Sequence, residues 1–243
     1  MTEQTSDPCV FGWNCPACGP LVPGGLRLYQ PGTYKLDSLR FGPWCRVCGA
    51  RALFTPPPAG ASALPESRRS REAPPSILLL SGSCASGKTT VSRILAERHG
   101  LVQIDGDWVL ALRRAELGRP VDSIEIDADL LRMAHGVTWL GLSAVIAHVV
   151  LPEALPGYQR YLSSYRIPWR PVVLMPDRAV LLERATTRET WPRATPAFWI
   201  DTFRDALLQG SAELRACFYD NASETPEQTA ETIRRMMQPT GAP

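Results

Sequence analysis

Lysine is nearly absent from this 243-residue chain. Of its 26 basic residues only Lys35 and Lys88 are lysines, and arginine carries the rest. Charge of one sign is lacking as well: the formal net charge is +2, which gives no strong pull toward nucleic acid or a membrane surface. No apolar run is long enough to span a bilayer. The longest, 136–151, is short for a span, contains His148 and stops at Pro152. It reads instead as a buried turn of helix followed by a central strand. The first eight residues are polar and have no apolar stretch of the kind a secretory leader needs. These absences predict a soluble, cytoplasmic protein with no membrane partner. At 44% hydrophobic residues the chain still has enough apolar surface for a real core.

Against that background Lys88 occupies a telling place. Residues 82–89 read Gly-Ser-Cys-Ala-Ser-Gly-Lys-Thr and fit G-x-x-x-x-G-K-[ST] at every fixed position. An apolar run at 77–80 enters the loop as a buried strand. A helix is expected from Lys88 to His99, with Gly100 as its stop. Gly82 and Gly87 let the backbone come close to an anion. Successive N–H groups of Ser83, Cys84, Ala85 and Ser86 and the helix start, with Thr90 behind it, can then surround a nucleotide phosphate. Lys88 adds a point charge toward the β- and γ-phosphates, and Thr89 offers a hydroxyl to Mg²⁺. A Gly/Ser-rich turn that binds nothing is the competing reading; the strand before it and the helix after it favour nucleotide binding.

The remaining organisation falls into three parts. Residues 1–54 hold two C-x-x-C knuckles, 55–75 form a linker rich in Pro, Ala and Arg, and 76–243 alternate strand-like and helix-like runs. Beyond the first helix, strands are expected at 102–105, 144–150, 172–175 and 216–219. Helices are expected at 107–117, 127–140, 153–164, 177–188 and 196–209. A last helix starts at Thr225-Pro226-Glu227-Gln228, with Thr225 as N-cap and Gln228 closing a capping box. Such alternation predicts an α/β fold, with a parallel sheet covered on both faces. Asp105-Gly106-Asp107 falls where the second strand should end, on the ligand-gathering side of such a sheet. One carboxylate can serve a Mg²⁺ shell, and the other can orient or deprotonate a hydroxyl. A plain Asp-Gly turn is the bland alternative.

Residues 82–89 followed by Asp105-Gly106-Asp107 resemble the small-molecule P-loop kinases, such as gluconate kinase, shikimate kinase and chloramphenicol phosphotransferase. The likeness covers 76–243. It implies a three-layer P-loop NTPase sandwich with a five-stranded parallel sheet, a mobile lid, and ATP and Mg²⁺ as cofactors. By position it assigns Asp105 to the metal and Asp107 to the acceptor hydroxyl. The lid would be the stretch holding Arg184, Arg188 and Arg193, whose planar guanidinium groups suit charge spread over phosphate oxygens; Arg188 is the first choice for catalysis. One departure is plain: the third strand ends without the acid that many P-loop ATPases carry there. His148, in that apolar run, reads more readily as a satisfied core residue than as a substrate contact. The stretch 108–141, with Arg113, Arg114, Arg119, Asp127, Asp129, Arg132 and His135, should form the substrate side, although most of these charges read as solvated helix faces.

Cys15, Cys18, Cys45 and Cys48 have the spacing of a zinc ribbon. Four thiolates can close a tetrahedron around a structural Zn²⁺, and so short a segment needs such a staple. Reduced or redox-active thiols are the competing reading. Two functions emerge. The favoured one is an ATP-dependent phosphotransferase acting on a small-molecule hydroxyl. The weaker one is a nucleic-acid-associated module, with a nucleic-acid-binding ribbon and a P-loop domain that is 5′-hydroxyl polynucleotide kinase-like or regulatory.

Overall fold

The computed structural model describes residues 12–15, 17, 19–20, 26–27, 44–45, 53–56, 74–187 and 196–238. Five short strands come first: β1 (Gly12–Cys15), β2 (Gly19–Pro20), β3 (Leu26–Arg27), β4 (Trp44–Cys45) and β5 (Leu53–Thr55). β1 is the centre of an antiparallel β2-β1-β5 sheet, and β3 pairs antiparallel with β4. Between the two C-x-x-C knuckles the run 26–30 is strand-like in sequence, and 26–27 of it are described as β3. A second, at 33–41, lies outside the described residues.

The main sheet grows from β6 (Ile77–Gly82), every residue of which is buried. A strand apolar on both faces needs cover on both, and parallel sheets provide it. The elements that follow are α1 (Lys88–His99), β7 (Val102–Asp105), α2 (Gly106–Leu117), α3 (Ser123–Trp139), β8 (Ala144–Ala147), α4 (Leu155–Ser164), β9 (Trp169–Leu174), α5 (Arg178–Thr186), α6 (Pro196–Leu208), α7 (Ala212–Arg215), β10 (Phe218–Tyr219) and α8 (Pro226–Met237). The order across the sheet is β10-β9-β6-β8-β7, and every pairing is parallel. Side-chain alternation along β6 divides the core. Ile77 and Leu79 face α3 and α4 through Leu130, Ala134, Tyr158 and Leu162. Leu78 and Leu80 face α1 and α8 through Leu95, Ala230 and Ile233. The result is the α/β three-layer architecture with five parallel strands.

Local signals set the helix ends. Gly100 stops α1 in a left-handed cap, its N–H donating to the Ala96 carbonyl while the Leu101 N–H donates to that of Leu95. Asp122 caps α3 by accepting from the Glu125 N–H at 2.7 Å. Thr225 and Gln228 form a full capping box on α8. The first segment touches the main body through β5, where buried Phe54 packs against His135 and Trp139 of α3 at ring separations of 5.0 and 6.1 Å. Among the described residues no helix is long and apolar enough to cross a membrane.

Candidate active site

The phosphate loop is the turn from β6 into α1. At Gly82, with φ at +141°, a Cβ would run into the Leu174 carbonyl and lie 2.8 Å from Ser86 Oγ, so only glycine fits. The loop is fastened on both flanks. Ser83 Oγ donates to the Ile200 carbonyl of α6 at 2.9 Å. Asn221 Nδ2 donates to the Ser86 carbonyl at 3.0 Å, and Arg184 reaches the Asn221 carbonyl at 2.8 Å. Lys88 Nζ folds over the loop and donates to the Gly82 and Ser83 carbonyls at 2.9 and 2.8 Å.

The acidic pair lies beside this loop because β7 and β6 both end at the same edge. Asp105 closes β7 and caps α2, accepting from the Asp107 and Trp108 N–H groups at 3.0 and 3.2 Å. It also accepts a hydrogen bond from the Thr89 hydroxyl. Burial, reinforced by the neighbouring Asp107 carboxylate, holds its pKa above the usual carboxylate range. A hydroxyl next to a desolvated carboxylate crowded by a second one is a donor set that suits Mg²⁺, whose charge would relieve the crowding. The structure therefore brings together Lys88, Thr89, Asp105 and the exposed Asp107.

A cavity of about 420 Å³ opens from the loop. Cys84, Lys88 and Thr89 of the loop line it together with Asp107, Asp127 and His148. The strand register explains how His148 arrives there. Asp105 pairs with Ala147, so the residue after Ala147 stands beside the start of α2. The His148 imidazole lies against Gly106, where a Cβ would collide with it. Glycine is therefore the residue that fits the middle of Asp105-Gly106-Asp107 without moving the ring. His148 Nδ1 is buried with no hydrogen-bond partner, and Nε2 stands 3.9 Å from Asp127 Oδ1. Burial, aided by the Lys88 charge and opposed by Asp107, lowers the His148 pKa to about 4, so the ring is neutral near pH 7. Asp127 accepts from the Tyr158 hydroxyl at 2.6 Å, and its own pKa is raised by burial.

Other expectations fare unevenly. Arg184 sits at the loop, but its guanidinium is turned to backbone carbonyls of the loop and of Asn221 and Ala222. Arg188 and Arg193 lie outside the described residues, as do Cys18 and Cys48. Cys15 and Cys45 end β1 and lie in β4, with the Cys15↔Gly19 register closing a tight hairpin. Among the described residues no group of three or more His, Cys, Asp or Glu is arranged to hold a metal ion. On the predicted substrate side, Arg113 pairs with Asp129 at 2.6 Å and Arg119 with Glu125 at 2.9 Å. Those charges satisfy one another, and Asp127 is the acid of that stretch which reaches both the cavity and a buried partner. Tyr158, Asn221 and Phe203 carried no sequence signal. His148 did, by following the central strand directly, but an apolar run also fits an inert core position.

No protein-family model matches the chain, and no curated protein matches it in sequence. Solved structures do match in fold. A tunicamycin resistance protein from Deinococcus radiodurans is 21% identical, covering 70% of this chain and 99% of that one, with a TM-score of 0.52. A sugar kinase from a Janibacter species is 20% identical over 67% of this chain and 94% of that one, TM-score 0.49. Shikimate kinase from Bacteroides thetaiotaomicron is 15% identical over 67% and 98%, TM-score 0.48. At 21% identity the first of these likenesses establishes the α/β fold and nothing finer.

Proposed function

We propose that the chain is an ATP-dependent phosphotransferase that moves the γ-phosphate to a hydroxyl of a small molecule held in the cavity beside the phosphate loop. The observation that carries this reading is that one cavity is lined by Lys88 and Thr89 together with Asp107, Asp127 and His148. A donor phosphate and an acceptor hydroxyl can therefore meet in one enclosed space, which is most of what phosphoryl transfer asks of a protein. In this reading the loop N–H groups and Lys88 hold the β- and γ-phosphates. Thr89 and Asp105 would hold Mg²⁺, which would supply positive charge to the phosphate oxygens. Asp107 orients the acceptor. The acceptor oxygen forms the new bond to γ-phosphorus, the bond to the ADP oxygen breaks, and the hydroxyl proton passes to Asp107. Arg188, with Arg184 and Arg193, is assigned to the lid over the triphosphate. Zn²⁺ on Cys15, Cys18, Cys45 and Cys48 is assigned a structural role only.

The polynucleotide reading is disfavoured by the same cavity, because a lining that includes Asp107, Asp122 and Asp127 opposes a phosphate backbone. Calorimetry with Mg·ATP tests the proposal. Saturable binding that is lost in Lys88→Ala is expected. An unmodified chain that takes up neither Mg·ATP nor Mg·GTP refutes it.

A further inference from the structure

The acceptor end of the cavity has an uneven charge. Four carboxylates line it, from Asp107, Asp122, Asp127 and Glu153, against the single lysine Lys88, and no arginine lines it among the described residues. Lys88 is committed to the loop and its phosphates. Asp122 is partly spent on capping α3. His148 supplies no countercharge to Asp127 near neutral pH, because burial keeps the ring uncharged. The side chain of Asp127 is 14% exposed, and one of its oxygens is taken up by the fully buried Tyr158 hydroxyl. That bond fixes the carboxylate and leaves the second oxygen free to face the cavity. Glu153 stands exposed at the rim, and Ile124 and Phe203 give the mouth an apolar side.

An anionic acceptor would enter this space against its charge. A neutral polyol could use the carboxylates as hydrogen-bond acceptors but would leave their charge uncompensated in a partly dry site. A cation would do both jobs. We propose that the acceptor is a hydroxylated amine, of the aminosugar or aminocyclitol kind, whose ammonium group is held by Asp127 with Glu153 at the entrance while its hydroxyl faces Asp107. This inference rests on the phosphotransfer reading and narrows its substrate class.

Calorimetric titration of neamine into the full chain, with Mg²⁺ and a non-hydrolysable ATP analogue present, tests it. Neamine is small, hydroxylated and polycationic. Its fully N-acetylated form keeps the skeleton and removes the charge. Saturable neamine binding is expected, with the acetylated form at least roughly tenfold weaker. Asp127→Asn and Glu153→Gln should each weaken neamine by roughly tenfold, the scale of a lost charge-assisted hydrogen bond. Asp127→Asn keeps an acceptor for Tyr158, and Glu153→Gln alters an exposed position, so at least one variant will fold. If the nucleotide binds and neamine does not, or binds no better than its acetylated form, the inference falls while the phosphotransfer reading stands. If the Mg-nucleotide itself does not bind, both fall together.

Discussion

Gly106→Ala should destabilise the protein through His148, and the size of the effect can be worked from their contact. Gly106 is the first residue of α2, and a Cβ there would lie 2.6 Å from His148 Cγ and 2.9 Å from its Cβ, with Nδ1 closer still. The His148 backbone cannot retreat easily. Its N–H donates to the Leu80 carbonyl at 3.2 Å, and two residues later the Val150 N–H donates to Ser81 Oγ at 3.0 Å. The ring must therefore swing toward the cavity, where its side chain is already 15% exposed. Overpacking of this kind costs about 1–3 kcal/mol, and alanine returns up to ~1 kcal/mol of helix propensity, less in a first turn. A net loss of about 1–2 kcal/mol is expected, and at about 2–4 °C per kcal/mol for a domain of this size it should appear as a clear drop in the thermal midpoint. His148→Ala in the same chain deletes the two closest contacts, so the double variant should recover about 1 kcal/mol or more relative to the sum of the single changes. Thermal melts of the four proteins measure this coupling. Additivity within about 0.3 kcal/mol, or a midpoint raised by Gly106→Ala alone, would refute the steric argument.

Four further outcomes are expected. Asp105→Asn should keep α2 capped and leave the melting midpoint nearly unchanged, because Asn caps as well as Asp, yet weaken Mg²⁺-dependent nucleotide binding; Asp107→Asn should leave nucleotide binding intact and lower turnover by about a hundredfold or more. Burial lowers both His135 and His148 to about 4, against an ordinary value of 6.5. The unfolded chain therefore takes up protons first, and this stability is full above pH 6.5 and is lost as pH falls toward 4, by about 2 kcal/mol per histidine at pH 5. His135→Gln should flatten the stability–pH profile by about that amount between pH 7.5 and 5, and an unchanged slope in urea melts would contradict the assignment. Elemental analysis should find one zinc ion per chain, lost in Cys45→Ser, and a metal-free purified protein would remove the ribbon assignment.

The parts of the fold legible in the sequence are those written in adjacent residues. α1 runs from Lys88 to His99 as read, because a phosphate loop and Gly100 mark its ends. α8 begins at its capping box for the same reason. β9 starts at Trp169 rather than at 172, because Pro171 and Arg170 argue against a strand. The structure tolerates Pro171 because β10 pairs only with Val173 and Leu174, so that part of β9 is an edge. β8 stops at Ala147 rather than at 150, because the chain there turns His148 toward Gly106. α7 was missed: four residues carry too little periodicity, and the Ser211 cap was its one signal. In the site, the loop and the acidic pair were legible from spacing. The Asp127–Tyr158 bond and the His148–Gly106 contact join residues on separate elements, and no local pattern encodes them.

The way Lys88 is held has a consequence for how tightly the loop grips any anion. Its ammonium already donates hydrogen bonds to two main-chain oxygens of its own turn. An arriving phosphate must outcompete them, so docking is a swap of one set of charged contacts for another rather than a net addition. Such an arrangement keeps the turn in shape between visits and favours release of a bound anion over permanent capture.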